Sequence, residues 1–203
     1  MTISLLALGD SYTIGEQVPL YESFPCQAVQ MLRNNHTEHH WLAPEILAKT
    51  GWTSDELINA AAHYAFLPEY DFVTLLIGVN NQYRGRDAAS FRPEFRQLLQ
   101  QALSLSGDRP NHVIVLSIPD WGVTPFAMGR DVQKIREDID AFNRVCREEA
   151  DAAGTHYIDI TESQRSDGSN PEYLAGDGLH PSGKEYAKWA ALVSQVIWDH
   201  VDD

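Results

Sequence analysis

The chain has 203 residues, 43% of them hydrophobic, which suits one sizeable α/β core and is too little for two. Charged residues make up 22%, which excludes a disordered chain, and no run approaches the ~20 apolar residues of a membrane span. The formal net charge of -14 repels phosphate backbones and anionic lipid, which argues against nucleic acid and anionic membranes as partners.

The first apolar run, Ile3–Leu8, has no basic stretch before it and ends in a turn, not at a small-residue cleavage site. It reads as a buried strand, and the cytoplasm is the expected location. Ser23–Arg33 follows with helical spacing. Glu45–Lys49 reads as the second strand and Ser54–Tyr64 as a helix capped at Thr53 or Ser54. Phe72–Ile77 is a nearly continuous apolar run suited to burial on both faces. Ser90–Ser104 is helical in pattern, and Val113–Ile118 is the fourth strand. In Asp131–Ala153, apolar residues from Val132 through Ile135, Ile139, Phe142 and Cys146 recur every three or four positions, and Gly154 ends the run. Tyr157–Ile160 is the fifth strand. Ser182–Asp199 closes the chain as a helix, with Tyr186, Trp189, Val193 and Ile197 on one stripe and Pro181 suited to its first turn.

Strands alternating with amphipathic segments predict an α/β fold, a parallel sheet covered by helices, in a single domain over residues 1–203. Two connections are long for this architecture: Pro119–Arg130, rich in Pro, Gly and aromatics, and the polar Thr161–Gly176. Both follow strand carboxyl ends, where open α/β sheets bind ligands. Cys26 and Cys146 fall in helical patterns and are expected as buried free thiols in a reducing compartment.

Four segments at predicted strand ends carry the chemistry. Gly9-Asp10-Ser11 sits where the first strand stops, and there Ser11 presents either a reactive hydroxyl or only a turn and cap. Asp177 and His180 precede the last helix. Their spacing lets a carboxylate reach the imidazole Nδ1–H and leaves Nε2 for the serine; alone, it equally describes an Asp turn beside a histidine. Asn80, in Gly78-Val79-Asn80-Asn81, suits an oxyanion donor, and Gly51 adds an N–H where a side chain would block approach; either residue also suits a plain loop. A serine hydrolase needs a hydroxyl, a base, a carboxylate to orient the base, and an oxyanion site, and the conjunction offers all four.

With these residues in these positions, the chain resembles the SGNH hydrolases, also called GDSL esterases/lipases. Ser11 matches the nucleophile of the first block, Gly51 the glycine of the second, Asn80 the asparagine of the third, and Asp177 and His180 the Asp-x-x-His of the last. The resemblance spans nearly the whole chain. It implies a flavodoxin-like α/β/α sandwich with a five-stranded parallel sheet. It also implies a serine esterase that forms an acyl-enzyme on Ser11, with Asp177 and His180 completing the triad, and needs no metal or organic cofactor. The oxyanion would rest on the N–H groups of Ser11 and Gly51 and the Asn80 amide. The sequence departs from the family at two places: Tyr12 stands where Leu or Ile is usual, and Asn81 stands where Asp is usual.

Trp52, Asn81, Trp121 and Phe126 are the further candidates for a substrate pocket around a small-molecule ester. Tyr83, Arg84 and Arg86 suit either a polar substrate group or this chain's own carboxylates. Asp10 is read as a loop-fixing acceptor. His36, His39 and His40 are read as a solvated loop in preference to a metal site, because no cysteine or spaced carboxylate joins them. The leading reading is an esterase on small or medium carboxylic esters. Carbohydrate O-acetyl esterase and thioesterase remain open within it, and a non-catalytic flavodoxin-like binding module is the alternative outside it.

Overall fold

A computed structural model describes residues 1–203. The strands are β1 (Thr2–Ile3), β2 (Leu5–Asp10), β3 (His40–Trp41), β4 (Glu45–Lys49), β5 (Phe72–Leu76), β6 (Val113–Leu116) and β7 (His156–Ile158). The helices are α1 (Ser11–Ile14), α2 (Phe24–Asn35), α3 (Ser54–Ala61), α4 (Val79–Tyr83), α5 (Ala88–Leu105), α6 (Val132–Ala153), α7 (Thr161–Asp167) and α8 (Gly183–His200).

Five strands form one parallel sheet in the order β4-β2-β5-β6-β7. Every residue of β2, β5 and β6 is buried, and the edge strands β4 and β7 are less so. That gradient follows from covering a sheet on both faces and leaving its edges near solvent. On one side α2 packs against α8; on the other, α3 packs against α5 and α5 against α6. The result is a flavodoxin-like three-layer sandwich, as the alternation of strands and helices led us to expect. β1 and β3 form a separate two-stranded parallel pair.

The chain leaves β2 for β4 on one flank, then returns across β2 to build β5, β6 and β7 on the other. Ligands of open α/β sheets bind where the order reverses in this way. The register aligns the strand ends there: Asp10 lies opposite Lys49, and Gly9 opposite Leu76. The residues that follow, Ser11, Thr50-Gly51 and Gly78, therefore emerge at one edge. Gly9 allows a close approach. A Cβ there would lie 2.1 Å from Thr13 Oγ1 and 2.5 Å from the Leu76 carbonyl oxygen, so α1 can turn back over the sheet only without one.

Several regions differ from the sequence expectations. Thr161–Gly176 is not one loop: Thr161–Asp167 is helical, started by Ser117 Oγ, which accepts from the N–H groups of Ile160 at 2.8 Å and Thr161 at 3.0 Å. The segment after β5 is the short helix α4, and Pro119–Arg130 holds two 3-10 turns. Pro181 precedes α8 and lies outside its first turn, with Ser182 as the cap. Cys26 and Cys146 are both free; Cys146 is buried and Cys26 partly exposed. His36 stacks on Trp198 with ring centroids 3.3 Å apart, so packing holds part of the histidine-rich segment, against the expectation of a wholly solvated loop. No helix is long and apolar enough to cross a membrane.

Candidate active site

Asp10 ends β2 and caps α1: its Oδ1 accepts the Tyr12 N–H at 3.1 Å, which holds Ser11 at the first position of the helix. Asp10 is almost fully buried. Burial pushes its carboxyl up to about 7, against the pull of the Tyr12 N–H. At the other end of the chain a tight turn through Gly178, at φ 66°, folds Asp177 back on the residues after it. Asp177 Oδ1 accepts the Leu179 and His180 N–H groups, each at 3.0 Å, and its Oδ2 lies 2.6 Å from His180 Nδ1. Burial acts to raise the Asp177 carboxyl, but the His180 imidazole and the two N–H groups outweigh it and hold the group below its ordinary range. The carboxylate thereby selects the Nδ1–H tautomer, which leaves Nε2 as the acceptor of the ring. The Tyr12 ring packs against this imidazole, with centroids 5.3 Å apart. Burial and the Asp10, Asp177 and Asp120 carboxylates keep the Tyr12 phenol protonated.

A cavity of about 190 Å³ opens at this edge of the sheet. Ser11, Gly51, Asn80 and His180 line it, and Asp177 stands behind His180. Asn80 is oriented by donating from Nδ2 to the Trp52 carbonyl at 3.0 Å, with Asp10 Oδ2 at 3.5 Å. Gly51 has φ 84°, a left-handed conformation that costs other residues strain, and Arg84 Nη2 donates to its carbonyl at 2.6 Å.

Trp121 and Phe126 form a wall with Tyr83, Val79 and Leu179. Trp121 is anchored from below. Its Nε1–H donates to Gln82 Oε1 at 2.8 Å, and Asp120, which caps its turn, pairs with Arg165 of α7 at 2.9 Å. The Arg130 guanidinium lies over the Tyr83, Trp121 and Phe126 rings, 5.1–5.7 Å from their centroids. Trp52 and Asn81, the other two pocket candidates, do not line the cavity. Trp52 packs against the core, and Asn81 is buried beneath the wall with its Oδ1 on the Ser54 N–H at 3.0 Å. Val79 and Leu179 carry no signal in the sequence, because single apolar residues in a five-residue helix and a tight turn show no period.

A family model described as GDSL-like lipase/acylhydrolase matches residues 7–188. Among solved structures, a lipase/acylhydrolase from Enterococcus faecalis superposes with a TM-score of 0.73 at 20% identity, covering 96% of this chain and 95% of that one. A lipolytic protein of the G-D-S-L family from Veillonella parvula gives 0.70 at 17% identity, with 98% and 97% covered. Axe2, an acetylxylan esterase from Geobacillus stearothermophilus, gives 0.72 at 19% identity, with 96% and 94% covered. At these identities the structural likeness shows the fold. A search of curated proteins finds no match. The match to the family model covers most of the chain, and the chain belongs to the GDSL-like lipase/acylhydrolase family.

Proposed function

We propose that this protein is a serine carboxylic ester hydrolase in which Ser11 is the nucleophile, His180 the general base and acid, and Asp177 the residue that orients His180. The reading rests on one observation: Ser11 and an imidazole already fixed by Asp177 come from opposite ends of the chain to line one cavity, beside Asn80 and Gly51. His180 Nε2 takes the hydroxyl proton as Ser11 Oγ bonds to the ester carbon, and the carbonyl electron pair moves onto oxygen. The Ser11 and Gly51 N–H groups receive that oxyanion, joined by the Asn80 Nδ2 hydrogen that is held only loosely by Asp10 Oδ2, at 3.5 Å. Collapse breaks the bond to the alcohol oxygen, which takes the proton from His180. Water then repeats the two steps on the acyl-enzyme and releases the acid.

A cavity of about 190 Å³ is smaller than sites for drug-sized ligands and fits a short acyl group. Tyr83 and Phe126 are exposed at its wall and offer flat apolar faces, which favours a sugar ester as the second reading.

A serine-directed fluorophosphonate probe tests the nucleophile without a guess at substrate. Wild-type protein is expected to label once, at Ser11, and to hydrolyse nitrophenyl acetate faster than longer acyl esters. Ser11→Ala is expected to lose both properties with its melting transition unchanged. Full hydrolysis by Ser11→Ala would end the assignment.

A further inference from the structure

The loop that carries Gly51 and the helix α4 that carries Asn80 are separate pieces of chain. If both serve one oxyanion, their donors have to be held to within about 0.5 Å of the working position. The two pieces are joined beneath the cavity by residues that do not line it. Asn81 is fully buried, and its Oδ1 accepts the Ser54 N–H at the start of α3. Its Nδ2 donates to Ser54 Oγ at 2.6 Å and faces Glu94 Oε2, on α5, at 3.5 Å. Ser54 Oγ donates to the same Glu94 oxygen.

Proton counting fixes every role in this cluster. A hydroxyl has one hydrogen, and the Ser54 hydrogen is spent on Glu94. What remains on Ser54 Oγ is acceptor capacity, so the neighbouring atom of residue 81 has to be a donor. The Asn81 NH2 is that donor, and the Glu94 carboxylate beside it also requires one. Arg86 lies nearby, but its Nη1 is 2.6 Å from Asp55 and 3.9 Å from Glu94, so its charge is taken mainly by Asp55. Glu56 is turned away onto the Thr53 N–H and Arg84.

We propose that Asn81, Ser54 and Glu94 form a clamp that registers the two oxyanion loops, with the acceptor oxygen supplied by Glu94 and a donor amide by Asn81. None of the three lines the cavity. They are positioning residues, and their role rests on the hydrolase reading above.

The test is a rescue. Asn81→Asp places a second acceptor against Ser54 and Glu94, and is expected to lower kcat at pH 8 by ~10–100-fold with KM nearly unchanged, the pattern of misplaced oxyanion donors. Adding Glu94→Gln restores a donor to the cluster and returns kcat to within about threefold of wild type. If Asn81→Asp does not fold, Glu94→Ala carries the test, with a kcat loss that Glu94→Gln does not share. Full activity of Asn81→Asp at pH 8, no rescue by Glu94→Gln, or a lowered Tm with kcat intact would each overturn the clamp. Wild-type protein that neither labels with the phosphonate nor hydrolyses esters would overturn the hydrolase reading itself, a different result from an active enzyme indifferent to these substitutions.

Discussion

Two carboxylates beside the cavity are tuned in opposite directions. Asp177 is partly exposed and accepts from the His180 ring and two N–H groups, so it stays ionised. An ionised partner stabilises the imidazolium formed during attack. Asp177→Asn keeps the oxygen that caps Leu179 and His180 but removes the charge. It is expected to lower kcat by ~10³–10⁴ with little change in Tm, measured by ester hydrolysis and thermal unfolding. Asp10 is buried, with the Tyr12 N–H at 3.1 Å and the Asn80 amide at 3.5 Å as its donors, and its carboxyl is pushed up to about 7. A raised carboxyl binds a proton more tightly folded than unfolded, so it costs stability as pH rises from about 4 to about 7. Asp10→Asn keeps the cap without the charge, and its gain in Tm is expected to be larger at pH 8 than at pH 5. The Asp177–His180 spacing was legible in sequence because a turn of three residues is local chemistry. The demand for an amide at Asn81 was not, since it comes from Glu94 on another helix.

At the level of elements, the strands and long helices fall close to their predicted places, because each repeats a burial pattern over several turns or pleats. Glu45–Lys49 matches residue for residue, and the predicted Asp131–Ala153 helix is observed over Val132–Ala153. The short helices α4 and α7 escaped notice. Five and seven residues hold too little periodicity, and their partners, such as Ser117 for α7, lie far off in sequence. These elements matter to the site because α4 holds Asn80 and Tyr83, while Arg165 of α7 braces the turn bearing Trp121. Trp121 closes the cavity wall, so Trp121→Ala is expected to shift preference along a ladder of nitrophenyl esters from acetyl toward longer acyl chains. An unchanged ladder would place the acyl group elsewhere in the cavity.

Across the whole molecule, the end of the sheet opposite the cavity carries its own acid response. His112 packs on Phe72, and His156 packs on His200. Burial lowers the pKa of both His112 and His156; the Asp71 carbonyl works against this at His112, and the neighbouring His200 adds to it at His156. Histidines lowered in this way stay neutral in the folded chain while the unfolded chain takes up protons. Their stabilisation is present above about pH 6.5 and lost as pH falls through the folded values. His156→Gln is expected to flatten the fall of Tm between pH 7 and pH 5, measured by calorimetry. Asp10 gives the opposite slope, so stability peaks where the two effects cross.

By itself the sequence determined the fold class, the alternation of strands and helices, and the residues on which the chemistry is proposed to turn, because hydrophobic period and short turn motifs are local properties of a chain. Tertiary structure decided the rest. It brought Ser11 and His180 to one cavity, set Trp121, Phe126 and Tyr83 as its wall, and placed Asn81 beneath it. Those outcomes depend on strand order and helix packing between segments distant along the chain, which no local pattern records.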